Sequence, residues 1–364
     1  MATITDIVEG RGICICAGSG GVGKTTTSAA LAAGLAARGQ KVCVLTIDPA
    51  KRLADSLGLE ELGNTPKQVD PKLFEPCGVE LKGELWAMML DAKATFDELV
   101  RKHAPDAETR DRILENRIYR QLSNALAGSQ EYMAMEKLFE LHTEGEFDLL
   151  VLDTPPTRNA LDFLDAPKRL SRFIDSRSLQ FFTSGGLFGV KVFSRGTGIV
   201  FSMLKRLTGI DLLQDLSDFF QSFGEMASGF RERADRVTDL LADSRTTFLL
   251  VTSPRYDAVD EAVFFHHRLQ DAGMPFGAAV VNRMHELPAK GNGVADEVED
   301  LLGPELGRKV ASNLEDYRRL AERDRLSLET LRKRLGRKPM IEVPDMEDDI
   351  HDLEGLTAMG EFLF

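Results

Sequence analysis

Residues Gly18 to Thr25 read GSGGVGKT, and no other stretch constrains the fold of this chain so strongly. The pattern is a glycine, four variable residues, then Gly-Lys-Thr. Such a loop works only where a buried strand runs into it and a helix runs out. The glycines let several backbone N–H groups converge on one point, and the helix adds its positive N-terminal end. Both flanks fit. Gly12 to Ala17 (GICICA) is a short, β-prone apolar run, and Thr26 to Arg38 is Ala/Leu-rich with a helical pattern. A strand feeding a helix in this way belongs to a parallel sheet, because parallel neighbours need a crossover connection.

Five further runs read as strands: Lys41 to Ile47, Phe147 to Leu152, Thr247 to Thr252, Gly277 to Val281 and Met340 to Val343. They are short and apolar without alternation, which predicts strands covered on both faces. The expected fold is α/β, a doubly wound and mostly parallel sheet. Two stretches break the rhythm of strand and helix. Residues 91–144 are mostly helical in pattern, and 161–243 contain no convincing strand. Both read as insertions forming a helical subdomain within one domain spanning 1–364.

Composition removes several function classes. The net charge of -13 argues against a general nucleic-acid binder. The basic residues of Arg318 to Lys338 alternate with Glu and Leu and read as a solvated helix face. Four cysteines occur without a C-x-x-C, and three lie in predicted strands. They read as small core residues of a reducing, cytoplasmic compartment rather than a zinc site or disulfide framework. The beginning, MATITDIVEGRG, lacks the apolar core of a signal peptide, and no 18-residue apolar run predicts a transmembrane segment.

The loop residues Gly20, Gly21, Val22, Gly23, Lys24, Thr25 and Thr26 are the expected phosphate cradle. Lys24 suits the β- and γ-phosphates of a nucleotide, and the Thr25 hydroxyl suits Mg²⁺. Asp153 ends the strand FDLLVLD, where a metal ion or its water needs an anionic acceptor; a helix N-cap is the alternative. Asp48 ends the second strand in TIDPAKRLADS. It suits a general base that orients water at a γ-phosphate; a turn-forming Asp-Pro is the alternative.

Taken together, GSGGVGKTTT, TIDPAKRLADSLG and DTPPTRNALDFLDAP resemble the ArsA-type ATPases, which include arsenite-pump ATPases and ATPases that target tail-anchored membrane proteins. The resemblance continues through VTSPRYDAVDEA, VVNRM and the ending IEVPDMEDDIHDLEGLTAMGEFL, and is nearest in look to the single-domain relatives found as unequal pairs in actinobacteria. It implies a P-loop NTPase of the deviant Walker A class that binds ATP and Mg²⁺ and works as a two-domain or two-chain nucleotide sandwich. It implies that Asp48 is the water-positioning base, that Asp153 is the acidic residue of the second switch, and that Asn282 and Pro344 hold adenine. Three departures stand out. Ser19 replaces a lysine that reaches the partner's phosphates in the family. Arg158 and Asn159 replace a usual Gly-His pair. The arsenite-binding and dimer-bridging cysteines are missing.

Residues 181–230 hold nine of the 21 phenylalanines, interrupted by glycines. They read either as subdomain core or dimer contact, or as an adaptable apolar groove for a client helix. The expected activity is Mg²⁺-dependent ATP hydrolysis that closes and opens a homodimer, or a heterodimer with a paralogous ATPase. It would be coupled to a hydrophobic protein client, a membrane protein among the candidates, so that partners bring the chain to a membrane periphery. The alternatives are a slow regulatory subunit paired with a lysine-bearing paralogue, and an anion-pump motor.

Overall fold

The computed structural model describes residues 3–48, 50–117, 119–120, 130–154, 160–174, 210–287, 301–346 and 348–364. Chain contacts divide it into two units, one of Met1–Met89, Gly145–Ala160 and Ala242–Phe364, the other of Leu90–Glu144 and Leu161–Leu241.

The first unit is built on eight strands: β1 (Ile13–Ala17), β2 (Lys41–Thr46), β3 (Lys67–Gln68), β4 (Glu84–Met89), β5 (Leu149–Asp153), β6 (Thr246–Thr252), β7 (Phe276–Met284) and β8 (Met340–Pro344). They form one sheet in the order β3-β4-β2-β5-β1-β6-β7-β8. All pairings are parallel except β3 with β4, which is antiparallel. Every residue of β1, β5 and β6 is buried, as strands covered on both faces must be. Connections run to one side of β1 through β2 and β4, return to β5, then cross to β6 on the other side. That reversal leaves a crevice at the carboxyl ends of the central strands, where ligands bind open α/β sheets.

The helices of this unit are α1 (Ile4–Val8), α2 (Lys24–Ala37), α3 (Arg52–Ser56), α9 (Tyr256–Asp271), α10 (Pro304–Leu335) and α11 (Leu353–Leu363), counted along the whole chain. Seven alanine and leucine residues of α2, among them Ala29, Leu31 and Ala36, are buried. Alanine lets this helix lie close over the sheet, and α11 packs on it in turn. The basic stretch near the end of α10 is a solvated face, with Arg319 paired to Glu315 at 2.7 Å and Arg332 to Glu342 at 2.5 Å.

The β3 and β4 strands do not stand out in the sequence. ELWAMM in β4 has no Val or Ile and is rich in residues that equally favour helices, and only pairing with β2 decides its state. Cys14, Cys16 and Cys43 are free and buried in strands, Cys77 is half-buried, and burial pushes the Cys43 thiol up to about 12. Of the adjacent His266 and His267 on α9, His267 is exposed. His266 is buried edge-on against Phe276 at 4.6 Å.

The second unit comprises α4 (Ala92–His103), α5 (Ala107–Glu115), α6 (Gln130–Glu144), α7 (Ala160–Ile174) and α8 (Ile210–Ala242). Asp91 and Asp106 cap α4 and α5 with side-chain acceptors. The core stacks Phe96 on Tyr119 and on Phe230, each at 5.7 Å, with Phe219 beside Tyr119 at 6.3 Å. Phe219, Met226 and Phe230 are therefore core residues, as the first of the two readings of this stretch expects, and not lining of a client groove. Phe181, Phe182, Phe188, Phe193 and Phe201 lie outside the described residues, as do the side chains of Phe220 and Phe223.

Candidate active site

The loop after β1 enters α2 through Gly23, whose backbone is left-handed (φ 92°) and caps the helix. A side chain there would collide with Asn282 Nδ2, and one at Gly18 would strike the Val251 carbonyl on β6. Glycine is thus required at these two positions by close approach of backbone to the neighbouring strands. Lys24 is buried and curls back to donate from Nζ to the Ser19 carbonyl at 2.8 Å. Burial holds its pKa below the usual lysine range, while Asp153 and Asp48 pull it upward.

Asp153 sits at the end of β5 with Cys16 and Thr46 as its register neighbours on either side. Its Oδ2 accepts from the Thr25 hydroxyl at 2.7 Å and from the Thr46 hydroxyl at 2.9 Å. Its Oδ1 is buried and has no hydrogen-bond partner among the described residues. Burial pushes its pKa up to about 6, against the two hydroxyls and Lys24, which favour the anion. An orphaned carboxylate oxygen beside a threonine hydroxyl is a hard-oxygen donor set, and it fits Mg²⁺. Residues 155–159, where a helix capped by Asp153 would begin, lie outside the described residues; Thr154 donates from its hydroxyl to the Cys16 carbonyl at 2.8 Å.

Asp48 lines the same cavity, of about 640 Å³, as Lys24, Thr25, Asn282 and Pro344. Its Oδ1 accepts from the Ala50 N–H at 2.9 Å, a turn contact, and its Oδ2 lies 3.9 Å from the Arg52 guanidinium. Gly20, Gly21, Gly23 and Thr26 also line this cavity; Val22 does not. Val22 borders an adjoining space of about 590 Å³ together with Ser19 and His285. Asn282 is buried, donating from Nδ2 to the Val22 carbonyl at 3.0 Å and accepting at Oδ1 from the Arg283 N–H at 3.0 Å. Arg158 and Asn159 lie outside the described residues.

Thr46, Arg52, Thr154 and Arg283 do not stand out as site residues in the sequence. Thr46 bridges the two aspartates, since its hydroxyl oxygen also accepts from the Asp48 N–H at 3.2 Å. The only signal for it is its place at the carboxyl end of β2, two residues before Asp48. Among the described residues there is no group of three His, Cys, Asp or Glu side chains that could hold a metal ion.

A family model described as anion-transporting ATPase matches residues 12–298. The chain belongs to the ArsA-type ATPase family. Members of this P-loop family hydrolyse ATP, so the chain is an ATPase with a nucleotide site. It is similar to the ATPase GET3 of Malassezia globosa, 26% identical over 78% of this chain and 76% of that protein. It is similar to the ATPase ASNA1 homolog 1 of Paramecium tetraurelia, 28% identical over 66% of this chain and 64% of the relative. A GET3 ATPase of Rhodotorula glutinis is 30% identical over 44% and 42% of the two chains. Among the described residues of the ATPase, no helix is long and apolar enough to cross a membrane.

Proposed function

We propose that this ArsA-type ATPase hydrolyses Mg²⁺-ATP to close and open a dimer, and that the cycle is coupled to binding a hydrophobic protein client. The observation that carries the chemistry is the knot of Thr25, Asp153 and Thr46 beside Lys24, with one Asp153 oxygen left unpaired. In this reading the loop from Gly20 to Thr26 binds the phosphates, Lys24 balances their charge, and Asn282 and Pro344 border the base. Mg²⁺, held through Thr25 and Asp153, would supply positive charge to phosphate oxygens. Asp48 Oδ2 takes the proton of the attacking water as the new O–P bond forms and the bond from the γ-phosphorus to the bridging oxygen breaks, giving ADP and phosphate. The second aspartate oxygen is occupied by Ala50, which keeps the carboxylate from rotating away.

The client half of the reading draws on the names of the relatives, GET3 and ASNA1 ATPases, and on the phenylalanine-rich stretch 181–209. The deciding experiment is mass measurement of Asp48→Asn with Mg²⁺-ATP, alone and with a detergent-free apolar helical peptide. A nucleotide-dependent dimer that captures the peptide is expected. A monomer under all conditions overturns the sandwich, and a dimer that ignores the peptide overturns the client. Ser19 favours a second reading, a slow subunit that gains its missing charge from a lysine-bearing paralogue. Ser19→Lys should then raise the turnover of the isolated chain, and unchanged single-turnover rates would discard it.

A further inference from the structure

The Asn282 side chain makes contacts that a simple base-binding residue does not need. Its amide has one consistent orientation. The Val22 carbonyl can only accept, so Nδ2 faces it, and the Arg283 N–H can only donate, so Oδ1 faces that. Asn282 thus joins β7 to the phosphate loop across 260 residues of sequence. The strand is shaped for this. The β7–β8 register shifts between Val281 and Met284, and Arg283 is the one non-glycine residue with positive φ, at 61°, among the described residues. A left-handed arginine is disfavoured and persists where surrounding bonds over-determine it. Here the Arg283 N–H bonds to Asn282, and the Met284 carbonyl accepts from the Asp345 N–H at 3.0 Å.

The bonded carbonyl belongs to the peptide between Val22 and Gly23. In a planar trans peptide the N–H points opposite to the C=O. Holding the Val22 carbonyl toward Asn282 therefore aims the Gly23 N–H away from Asn282. Gly23 lines the large cavity, whereas Val22 does not. A peptide flanked by glycine, with φ at 92°, has little else to stop it from flipping.

We infer that Asn282 is a positioning residue of the phosphate loop: its carboxamide locks the Val22–Gly23 peptide so that the Gly23 N–H is presented to phosphate. The inference rests on the reading of this loop as the triphosphate site. It differs from base recognition in one measurable way, because inorganic tripolyphosphate has no base.

The test titrates wild type, Asn282→Leu, Asn282→Ala and Lys24→Ala with ATP and with tripolyphosphate, with a ligand-free thermal melt of each. Asn282→Leu keeps the shape and removes the hydrogen bonds, and Asn282→Ala stands in if leucine does not fit. Affinity for both probes is expected to fall together, by roughly 5- to 50-fold, as for a lost buried hydrogen bond. The ratio of ATP to GTP affinity should stay at the wild-type value, which a disrupted pocket would not preserve. Loss of ATP binding with tripolyphosphate unaffected overturns the inference and makes Asn282 a base contact. Wild-type affinities in Asn282→Leu overturn it as well. Loss of tripolyphosphate binding in Lys24→Ala but not in the Asn282 variants breaks the lock alone. No loss in Lys24→Ala breaks the triphosphate reading and the lock with it.

Discussion

Both units of this ATPase bury charge, but they treat it differently. In the helical unit, buried Glu136 accepts from the Tyr132 hydroxyl at 2.9 Å and from Arg233 Nε at 2.7 Å. Lys137 lies between Glu140 at 3.0 Å and Glu98 at 3.3 Å. Burial lowers the Lys137 pKa, yet the two glutamates outweigh it and hold the amine above the usual range. Each of these charges meets an opposite one, and the network joins α4, α6 and α8. In the sheet unit, Asp153 is equally buried, but one of its oxygens meets nothing among the described residues and its pKa rises. A closed network is how a structural core tolerates ions; an open one marks where a reaction draws on them.

The largest expected effect tests the open site. Asp48→Asn should lower kcat by roughly two to four orders of magnitude, the scale of a lost general base, with melting unchanged. Wild-type turnover would remove Asp48 from the chemistry. In the closed network the cost should fall on stability instead. Arg233→Met leaves Glu136 buried without its cation and should destabilise by about 3–5 kcal/mol, seen in denaturant melts. Most of that loss should return in the double variant Arg233→Met with Glu136→Leu. If the single variant melts like wild type, the contrast between the units fails.

Asp153→Asn should do the reverse. The folded-state pKa of Asp153 is raised from 3.8 to about 6, so the folded chain holds this proton more tightly than the unfolded chain. Its contribution is most favourable below pH 3.8 and is lost as pH rises through 6. By the free-energy equivalent of the shift, the penalty above pH 6 is up to about 3 kcal/mol. Ligand-free Asp153→Asn is therefore expected to melt above wild type at pH 8 and close to it near pH 4, while Mg²⁺-ATP turnover is lost. Equal melts at pH 8 would show that the charge is already compensated. The smallest effect is Thr46→Val, which removes one hydroxyl from Asp153 and should cost about 1 kcal/mol, with melts as the check.

Some of this protein is written in local sequence. The strand, glycine loop and helix around GSGGVGKT follow from apolar run length, glycine dihedrals and the helix terminus, all of which act within a few residues. For the same reason the strand cysteines read correctly as core, apolar run length places Asp153 at a strand end, and the glycine-loop pattern places Lys24 and Thr25 where the helix begins. The rest depends on register between distant strands. Thr46 meets Asp153 only because β2 pairs with β5, and ELWAMM is a strand only because β2 offers it an edge. Phe219 is core because Tyr119, far away in sequence, packs on it. Asn282 reaches Val22 through a bulge in β7 whose left-handed arginine no propensity favours. Patterns along a chain report which groups seek burial, whereas hydrogen-bond partners are assigned by pairing and packing, and these exist only once the sheet has formed.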